Sequence, residues 1–352
     1  MEEKDRKTPL VSIVITSYNR AHFIEKAITS ALAQDYPNLE IIISDNCSTD
    51  NSDEIIKKYV PDPRVKYFVN DINIGMIPNF IKGAHELARG KYISFLSSDD
   101  YLVNNSFISE AVERIRQYPN ISIVTSINVI EVTRHSNFFH DRSYPFYKDI
   151  FFGKPFIPGK EVFLQYPICH SISYGGTLMD REKLVSLDTK KAVPISYDIQ
   201  NILQLLLTGD AAFIDKDTYV ARRHGANAAA TVTKAQTYIE NLAYIDIPYY
   251  FALENKLLDK PLLDEWRIGM YCYFCAQCLR TYYMQDKRQY SIFAKYLKEK
   301  HPEAYKRITA QPDWAVHYLV FANKFIGKAY LNSRAFLGKI KRRLKKQNTP
   351  TH

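Results

Sequence analysis

The 352-residue sequence has no continuous apolar stretch of about 18 residues or more, which is the length that a membrane-spanning helix requires. Its N-terminal segment, Met1–Pro9, mixes charges of both signs and has no apolar core, so we expect no secretory signal. These absences predict a protein that works on the cytoplasmic side of a membrane.

Cysteine is scarce, and the odd number of five fits a reducing compartment in which thiols stay free. Cys272, Cys275 and Cys278 have the spacing C-x-x-C-x-x-C, which occurs among iron–sulfur ligands, but Tyr282 stands where a fourth ligand would fall. We favour the other interpretation, a buried helix over 268–283 with small soft side chains at helical spacing.

Acidic residues are absent after Asp313, where nine Lys and Arg residues equal the whole net charge of +9. Such a distribution argues against a basic face spread over the fold, and we expect no nucleic-acid partner. Phe336, Ile340 and Leu344 share one helical face within this segment, which predicts an amphipathic tail lying on the inner face of the cell membrane. The alternative is a helix packed on its own domain with a solvated basic face.

Short apolar runs alternate with helical patterns along the first part of the chain. The predicted strands are Val11–Ile15, Leu39–Ile43, Val65–Val69 and Tyr92–Leu96. This alternation predicts an α/β fold with a mostly parallel sheet and helices on both faces. Beyond Thr231 the strand patterns end, so we expect one domain over 1–225 and a mainly helical region over 226–352.

Three polar turns follow predicted strands, at the edge of the sheet where ligands of such folds bind. They are Thr16–Arg20, Ser44–Asp50 and Ser97–Asp100. A carboxylate at this edge can hold a hard divalent cation, which neutralises the diphosphate of a leaving nucleotide. Taken alone, each of these patterns has a simpler interpretation. The acids could be solvated side chains of a turn, or they could cap turns and helices.

The segment Pro9–Tyr101 resembles the family 2 glycosyltransferases of the GT-A fold. The resemblance is carried by four motifs in order: VSIVITSYNR from Val11, ISDNCSTD from Ile43, Asn73-Ile74-Gly75 with Asn79, and GKYISFLSSDD from Gly90.

This resemblance implies a role for each matching residue. Nucleotide-sugar contacts are implied for Thr16, Tyr18, Asn19, Arg20, Asp45, Asn73, Asn79, Ser97 and Ser98. They are also implied for Arg222 and Arg223, which with His224 follow a predicted strand (Ala211–Ile214) and turn (Asp215–Thr218), where the family carries an Arg and His pair that faces the donor phosphates. Asp99 is the implied metal ligand and His224 completes the metal shell, with Mn²⁺ or Mg²⁺ as the cofactor. The family often carries Asp where this chain has Ser97, so we expect a variant metal site.

The acceptor side is implied by a second region of resemblance. Tyr174, Gly175 and Gly176 lie in a segment similar to the acceptor-side strand of the family. A small pair such as Gly175-Gly176 lets the backbone approach a sugar closely, although it can also mark a β-bulge. Asp198 matches an acid that precedes a helix and is the expected catalytic base, while an N-cap role is its alternative.

The expected function is an inverting, metal-dependent transfer of a sugar from a nucleotide-diphosphate sugar, with UDP favoured, to a hydroxyl of a glycan or lipid-linked acceptor in surface polysaccharide synthesis. One alternative is an inactive nucleotide-sugar-binding partner of a glycan assembly complex, suggested by Ser97 and Tyr197. Another is a sugar-1-phosphate nucleotidyltransferase, but the turn Thr16–Arg20 has no glycine to hold a triphosphate.

Overall fold

The computed structural model describes residues 8–132, 137–140, 150–151, 153–169, 172, 174–188, 193, 195–224 and 234–310. These residues fall into two compact units. The first unit holds the described residues up to 224 together with Glu240–Trp266, and the second holds Lys234–Ile239 and the described residues from Arg267 onward.

The N-terminal half of the sheet is parallel, with the strand order β3-β2-β1-β4. Its strands are β1 (Val11–Ser17), β2 (Leu39–Asp45), β3 (Val65–Val69) and β4 (Tyr92–Ser97). The crossovers contain α1 (Ala21–Leu32), α2 (Ser52–Lys57) and α3 (Met76–Lys82), which continues as a π-helical turn over Gly83–Leu87. The predicted alternation of strands and helices is confirmed.

The rest of the sheet is mixed. It consists of β5 (Tyr101–Leu102), β6 (Ile121–Val132), β7 (Asn137–His140), β8 (Thr177–Asp180) and β9 (Asp210–Arg223). Strand β8 is antiparallel to both β4 and β6, whereas β9 is parallel to β6 and antiparallel to β5. The helices in this half are α4 (Phe107–Gln117), α5 (Gly159–Cys169), α6 (Arg181–Val185) and α7 (Tyr197–Thr208). The α/β class is confirmed, and the parallel part of the sheet is its N-terminal half.

Two local expectations are wrong. The aromatic and proline content of residues 133–170 and their poor periodicity predict long loops, but the described part of this segment includes β7 and α5, and Val162 and Phe163 of α5 are fully buried. A turn was expected at Asp215–Thr218, but β9 continues through it, since the pairing with β6 shifts register between Ile214 and Asp217. The polar residues lie at a β-bulge, which makes the pairing irregular but does not end the strand.

The core of the first unit forms between the parallel strands and their helices. Ile13 and Ile15 of β1 and Ile41 and Ile43 of β2 have no exposed surface, and Ile28 of α1 packs into the same cluster. Strands covered on both faces become continuously apolar, which is why these runs were recognisable in the sequence. Burial of each such side chain contributes about 1.5–3 kcal/mol.

Glu40 is a buried carboxylate near the amino ends of the parallel strands, and it connects several neighbouring groups by hydrogen bonds. It accepts hydrogen bonds from the Ser12 hydroxyl, from the backbone N–H groups of Arg89 (2.7 Å) and Gly90 (3.2 Å), and from Lys66 Nζ (2.6 Å). Burial by itself raises the pKa of Glu40, but the hydrogen bonds from Lys66, Ser12 and Arg89 outweigh it and hold the pKa below 4.5.

Helices follow the sheet in the chain: α8 (Ala235–Asn241), α9 (Ala243–Glu254), α10 (Lys260–Gln285), α11 (Lys287–Lys300) and α12 (Pro302–Thr309). The expected boundary at 225/226 differs from the compact units, because Glu240–Trp266 groups with the sheet. Trp266 stacks on Phe163 at 4.1 Å and its Nε1 donates to the Phe163 carbonyl at 2.9 Å. The predicted tail over 311–352 lies outside the described residues.

The cysteine motif lies on α10, as the helical interpretation predicted, and Cys275 is buried. Within the part of the chain that the structure describes, no three His, Cys, Asp or Glu side chains are grouped as a metal site. None of the described helices is long and apolar enough to cross a membrane.

Replacement of Glu40 by Ala is expected to reduce the free energy of unfolding by about 2 kcal/mol at neutral pH, because buried N–H groups lose their acceptor. Since the folded pKa lies below the ordinary value of 4.5, this contribution is complete above that pH and disappears as the pH falls through the folded pKa. Urea unfolding at pH 7 and at acidic pH measures both effects. Glu54→Ala, at an exposed position of α2, is the control, and equal stability of the two variants would refute the assignment.

Candidate functional site

A cleft of about 510 Å³ opens at the carboxyl ends of the parallel strands. Its lining comes from the turns after β1, β2 and β4 and from the start of α3. The lining residues are Thr16, Ser17, Tyr18, Arg20, Asn46, Asn73, Gly75, Met76, Asn79, Phe80, Ser97, Ser98, Asp99 and Asp100. The three polar turns predicted to converge therefore do so, because parallel strands end at one edge of the sheet.

The turns after β1 and β2 are held together by hydrogen bonds. Asn19 adopts the left-handed backbone conformation (φ 51°), and its Oδ1 accepts from the Thr49 amide at 2.8 Å. In return, the Asn19 amide donates to Ser48 Oγ at 2.8 Å, and the Ala21 amide donates to Asp50 Oδ2 at 3.0 Å. Asn19 thus shapes the wall of the cleft, although its side chain is not among the lining groups.

Asp45 is buried at the end of β2 and is not among the lining residues of the cleft. Its carboxylate accepts hydrogen bonds from the Ser48 hydroxyl and from the Ser48 amide at 3.2 Å. Burial raises the pKa of Asp45, and the Ser48 hydrogen bonds offset part of that rise. The contact with a base implied for Asp45 remains a prediction.

Asparagine side chains form the floor of the cleft. Asn79 is buried, accepts from Ser44 Oγ at 2.7 Å and donates to the Ser44 carbonyl at 3.0 Å. Asn70 donates to the Oδ1 atoms of Asn46 and Asn79, both at 3.0 Å, and Asn46 donates to Asn73 Oδ1 at 2.8 Å. Asn73 and Asn79 were predicted here. Asn46 lies in the predicted turn Ser44–Asp50 but was given no role, and Asn70 was missed, because a single polar residue after a strand carries no distinctive pattern.

Asp99 contacts two basic side chains. His224 Nε2 lies 3.0 Å from Asp99 Oδ2, and Arg20 Nε lies 3.7 Å from the same oxygen. His224 is oriented by stacking on Phe23, with the ring centroids 4.6 Å apart. The expected pairing of Asp99 with His224 at one site is therefore present, across 125 residues of sequence.

The neighbouring acid, Asp100, is buried and is bound to residues of β9. It accepts hydrogen bonds from the Tyr219 hydroxyl and from the Arg222 amide, the latter at 2.7 Å. Burial and the charge of Asp99 raise the pKa of Asp100. Tyr219 carried no sequence pattern that marked it as part of a site.

The Asp99–His224 pair has the chemistry to hold a divalent cation. A carboxylate oxygen and an imidazole nitrogen are both ligands of such ions, and these two atoms lie 3.0 Å apart. The carboxylate of Asp100 already has partners, and no third His, Cys, Asp or Glu ligand is grouped with them among the described residues. Phosphate oxygens and water would complete the shell.

The two arginines expected at the donor phosphates are not among the lining residues. Arg222 is buried, its guanidinium packs over the rings of Phe23 (5.0 Å) and Tyr101 (5.1 Å), and Nη2 donates to the Phe23 carbonyl. Arg223 is exposed at the end of β9. Their contacts with a donor stay predictions.

Of the implied acceptor residues, Tyr174 is buried. Its ring stacks on Phe95 at 4.5 Å, and its hydroxyl accepts a hydrogen bond from Asn201. Gly175 and Gly176 pack tightly against β6 and β9: an added Cβ at Gly175 would lie 2.6 Å from the Tyr219 ring, and at Gly176 2.7 Å from Asn128 Oδ1. The two glycines therefore allow other side chains of the protein, Tyr219 and Asn128, to come close to their backbone.

Asp198 lies in the first turn of α7, where it is partly exposed. Burial of its carboxyl raises the pKa to about 6, and a backbone hydrogen bond at Ile199 counteracts part of the rise. Burial is the main cause that raises the pKa of the Tyr174 hydroxyl, and the charge of Asp198 adds to it; the Tyr174 ring packs against the cleft residue Phe80. A carboxylate with a pKa near neutrality can accept a proton.

An acid–histidine pair and polar turns at the carboxyl ends of parallel strands are typical of nucleotide-binding enzyme domains of the α/β class. The model of glycosyl transferase family 2 matches residues 12–185, and this part of the chain belongs to that family.

A sequence relative is the UDP-Glc:alpha-D-GlcNAc-diphosphoundecaprenol beta-1,3-glucosyltransferase WfaP of Escherichia coli. It is 40% identical over 108 residues, which cover 29% of this chain and 39% of the relative. The chain spans 32–39% of the length of five bacterial relatives, so their whole activities do not carry over directly.

Two solved structures share the fold. S. aureus TarS 1-349 in complex with UDP-GlcNAc has a TM-score of 0.65 at 15% identity, covering 84% of this chain and 82% of that one. The mannosyltransferase PcManGT of Pyrobaculum calidifontis, in complex with GDP-Man and Mn²⁺, has a TM-score of 0.50 at 16% identity, covering 89% and 86%. At such identities the similarity shows the GT-A fold alone.

Replacement of Asn19 by Ala is expected to destabilise the protein by about 1–2 kcal/mol, because Ala is strained in the left-handed region and leaves the Thr49 amide without its acceptor. Amide hydrogen exchange should be faster at Thr49. Asn19→Gly is the control for the backbone: it relieves the strain but not the lost hydrogen bond, so its Thr49 amide should also exchange faster while its stability falls less. Unchanged exchange at Thr49 in both variants would contradict this role.

Proposed function

We propose that the protein is an inverting glycosyltransferase that moves a sugar from a nucleotide-diphosphate donor to a hydroxyl of a glycan or lipid-linked acceptor, in synthesis of a surface polysaccharide. The observation that carries the proposal is the pairing of Asp99 with His224 at the rim of the cleft, since this pair can hold the cation that a diphosphate leaving group needs.

The donor would lie in the cleft with its base toward the turns after β1 and β2. Tyr18 has 42% of its surface exposed and offers an aromatic face for stacking on the base. Ser17 Oγ, Ser97 and Ser98 add hydroxyl groups beside it, and the Ser17 hydroxyl has no partner within the protein. We favour UDP, supported by the donor in the name of WfaP and by the ligand of TarS.

The diphosphate would lie beside Asp99, His224 and Arg20. When bound, Mn²⁺ or Mg²⁺ supplies a positive charge that offsets the charge developing on the leaving nucleotide. Arg20, 3.7 Å from Asp99, adds a permanent cation at the same position and donates hydrogen bonds to two carbonyls of its own turn. Manganese is supported by its presence in the PcManGT structure.

The acceptor would approach near the N-terminus of α7. An inverting transfer needs a base on the side of the sugar opposite the leaving group, and Asp198 is our candidate. Its raised pKa lets it take the proton of the attacking hydroxyl as the new glycosidic bond forms and the bond to the nucleotide breaks. A lipid-linked acceptor, supported by the name of WfaP, would fit attachment of the basic tail to the membrane surface.

Replacement of Asp99 by Asn is expected to lower Mn²⁺-dependent release of UDP from a UDP-sugar about 100-fold or more, because one of the two metal donors is weakened. A coupled assay for UDP across a panel of UDP-sugars measures the loss. Asp71→Asn, at an exposed carboxylate outside the cleft lining, is the matched control and should keep wild-type activity. Equal rates in both variants would exclude Asp99 as a metal ligand.

Replacement of Asp198 by Asn is expected to lower kcat about 10²- to 10⁴-fold and to leave the affinity for UDP unchanged, since a base acts on the acceptor. In the wild type, only the deprotonated carboxylate accepts a proton, so kcat/KM should rise with pH through about 6. Steady-state kinetics over about two pH units on either side of that pKa tests the sign. Asp210→Asn is the control and should keep wild-type activity. Full activity of Asp198→Asn would exclude Asp198 as the catalytic base.

A further inference from the structure

We propose that Tyr219 is a positioning residue for the acidic turn: its hydroxyl holds Asp100 inside the sheet and thereby presents Asp99 to the cleft. The effect on a bound cation rests on the proposed function, whereas the effect on the turn itself does not. Neither the sequence motifs nor the cleft lining includes Tyr219.

Each carboxylate oxygen of Asp100 has a hydrogen-bond partner within the protein. One carboxylate oxygen accepts from the Tyr219 hydroxyl and the other from the Arg222 amide at 2.7 Å. Asp100 is 8% exposed and Tyr219 is 6% exposed, so water cannot readily replace either partner. A buried carboxylate that lost one of these hydrogen bonds would have to move or take up a proton.

The turn is short, so movement of Asp100 is transmitted to Asp99. The Asp100 amide donates to the Ser97 carbonyl at 3.0 Å, and the Ser98 amide donates to the Thr16 carbonyl at 3.3 Å. Asp99 lies between these two anchored amides. The direction of its carboxylate is therefore set by how firmly Asp100 is held.

Strand β9 and the residue that follows it contact both acids. Leu102 and Tyr101 of β5, which come directly after the turn, pair with Tyr219 and Val220 of β9. His224, the first residue after β9, lies 3.0 Å from Asp99. Because β9 holds Asp100 and leads directly into His224, its position relative to the turn affects the distance between Asp99 and its histidine.

The glycine pair makes room for this phenol. A Cβ at Gly175 would lie 2.6 Å from two atoms of the Tyr219 ring, and one at Gly176 would lie 3.0 Å from Tyr219 Cβ. Gly176 also has a positive φ of 64°, which disfavours any other residue. The segment expected to approach an acceptor sugar thus also supports the acidic turn from behind.

Ser97 stands at the start of the same turn and carries no charge. An aspartate at this position would add a third carboxylate next to Asp99 and Asp100. The serine therefore suits a turn in which one carboxylate is buried and its neighbour lines the cleft.

The test compares Tyr219→Phe with Tyr101→Phe. Tyr101 is equally buried and lies on the strand paired with β9, but its hydroxyl donates to Glu131 at 3.2 Å and not to the turn. We expect faster amide exchange at Ser98 and Asp100 in Tyr219→Phe alone, and about tenfold weaker Mn²⁺ binding by calorimetry in the presence of UDP. Affinity for UDP with chelator present should not change.

Identical exchange at Ser98 and Asp100 in the two variants would overturn the proposal. If wild-type protein binds no Mn²⁺, the metal site of the proposed function fails, and the exchange rates alone decide the role of Tyr219. Should Tyr219→Phe not fold, Gly175→Ala keeps the phenol but crowds its ring, and it should give the same faster exchange. A folded Gly175→Ala with wild-type exchange would also refute the proposal.

Discussion

The structure depends on a buried carboxylate, Asp100, that joins the two halves of the sheet. The first half is parallel and ends in the cleft; the second half contains the strand that supplies both hydrogen-bond partners of Asp100. A buried charge needs such partners, since leaving it unpaired costs several kcal/mol. The interaction therefore fixes β9 against the acidic turn, and His224 reaches Asp99 as a consequence. Asp99 follows a strand of the first half and His224 follows a strand of the second half, so the candidate metal ligands meet next to this contact.

Around this anchor, polar side chains build a preorganised cleft. The turn after β1 is fixed to the turn after β2 through Asn19, and the floor is a set of asparagine amides that satisfy one another. Groups fixed in this way need little rearrangement when a ligand binds, which favours affinity and, for a transferase, alignment of donor and acceptor. Asp45 belongs to this frame through Ser48, so any contact it makes with a base would be made by a carboxylate already held in place.

Much of the fold could be predicted, because strands covered on both faces are continuously apolar and their carboxyl ends are polar. The residues of the first half of the cleft, such as Thr16, Asn79 and Asp99, follow from local motifs. The second half was harder. Strand β9 passes through a polar bulge that resembles a turn, and the partners of Asp100 lie 119 and 122 residues away, at a separation that no local pattern encodes. The glycine pair was recognised as a close approach, but only the structure shows that the Tyr219 ring is what it approaches.

The central claim is that the cleft binds a nucleoside diphosphate together with a cation held by Asp99 and His224. Calorimetric titration of UDP into the full-length protein, with Mn²⁺ and again with chelator, tests it most directly. The account predicts binding about tenfold or more tighter with Mn²⁺, and loss of that difference in His224→Ala. Equal affinity for UDP with Mn²⁺ and with chelator in the wild type would contradict it.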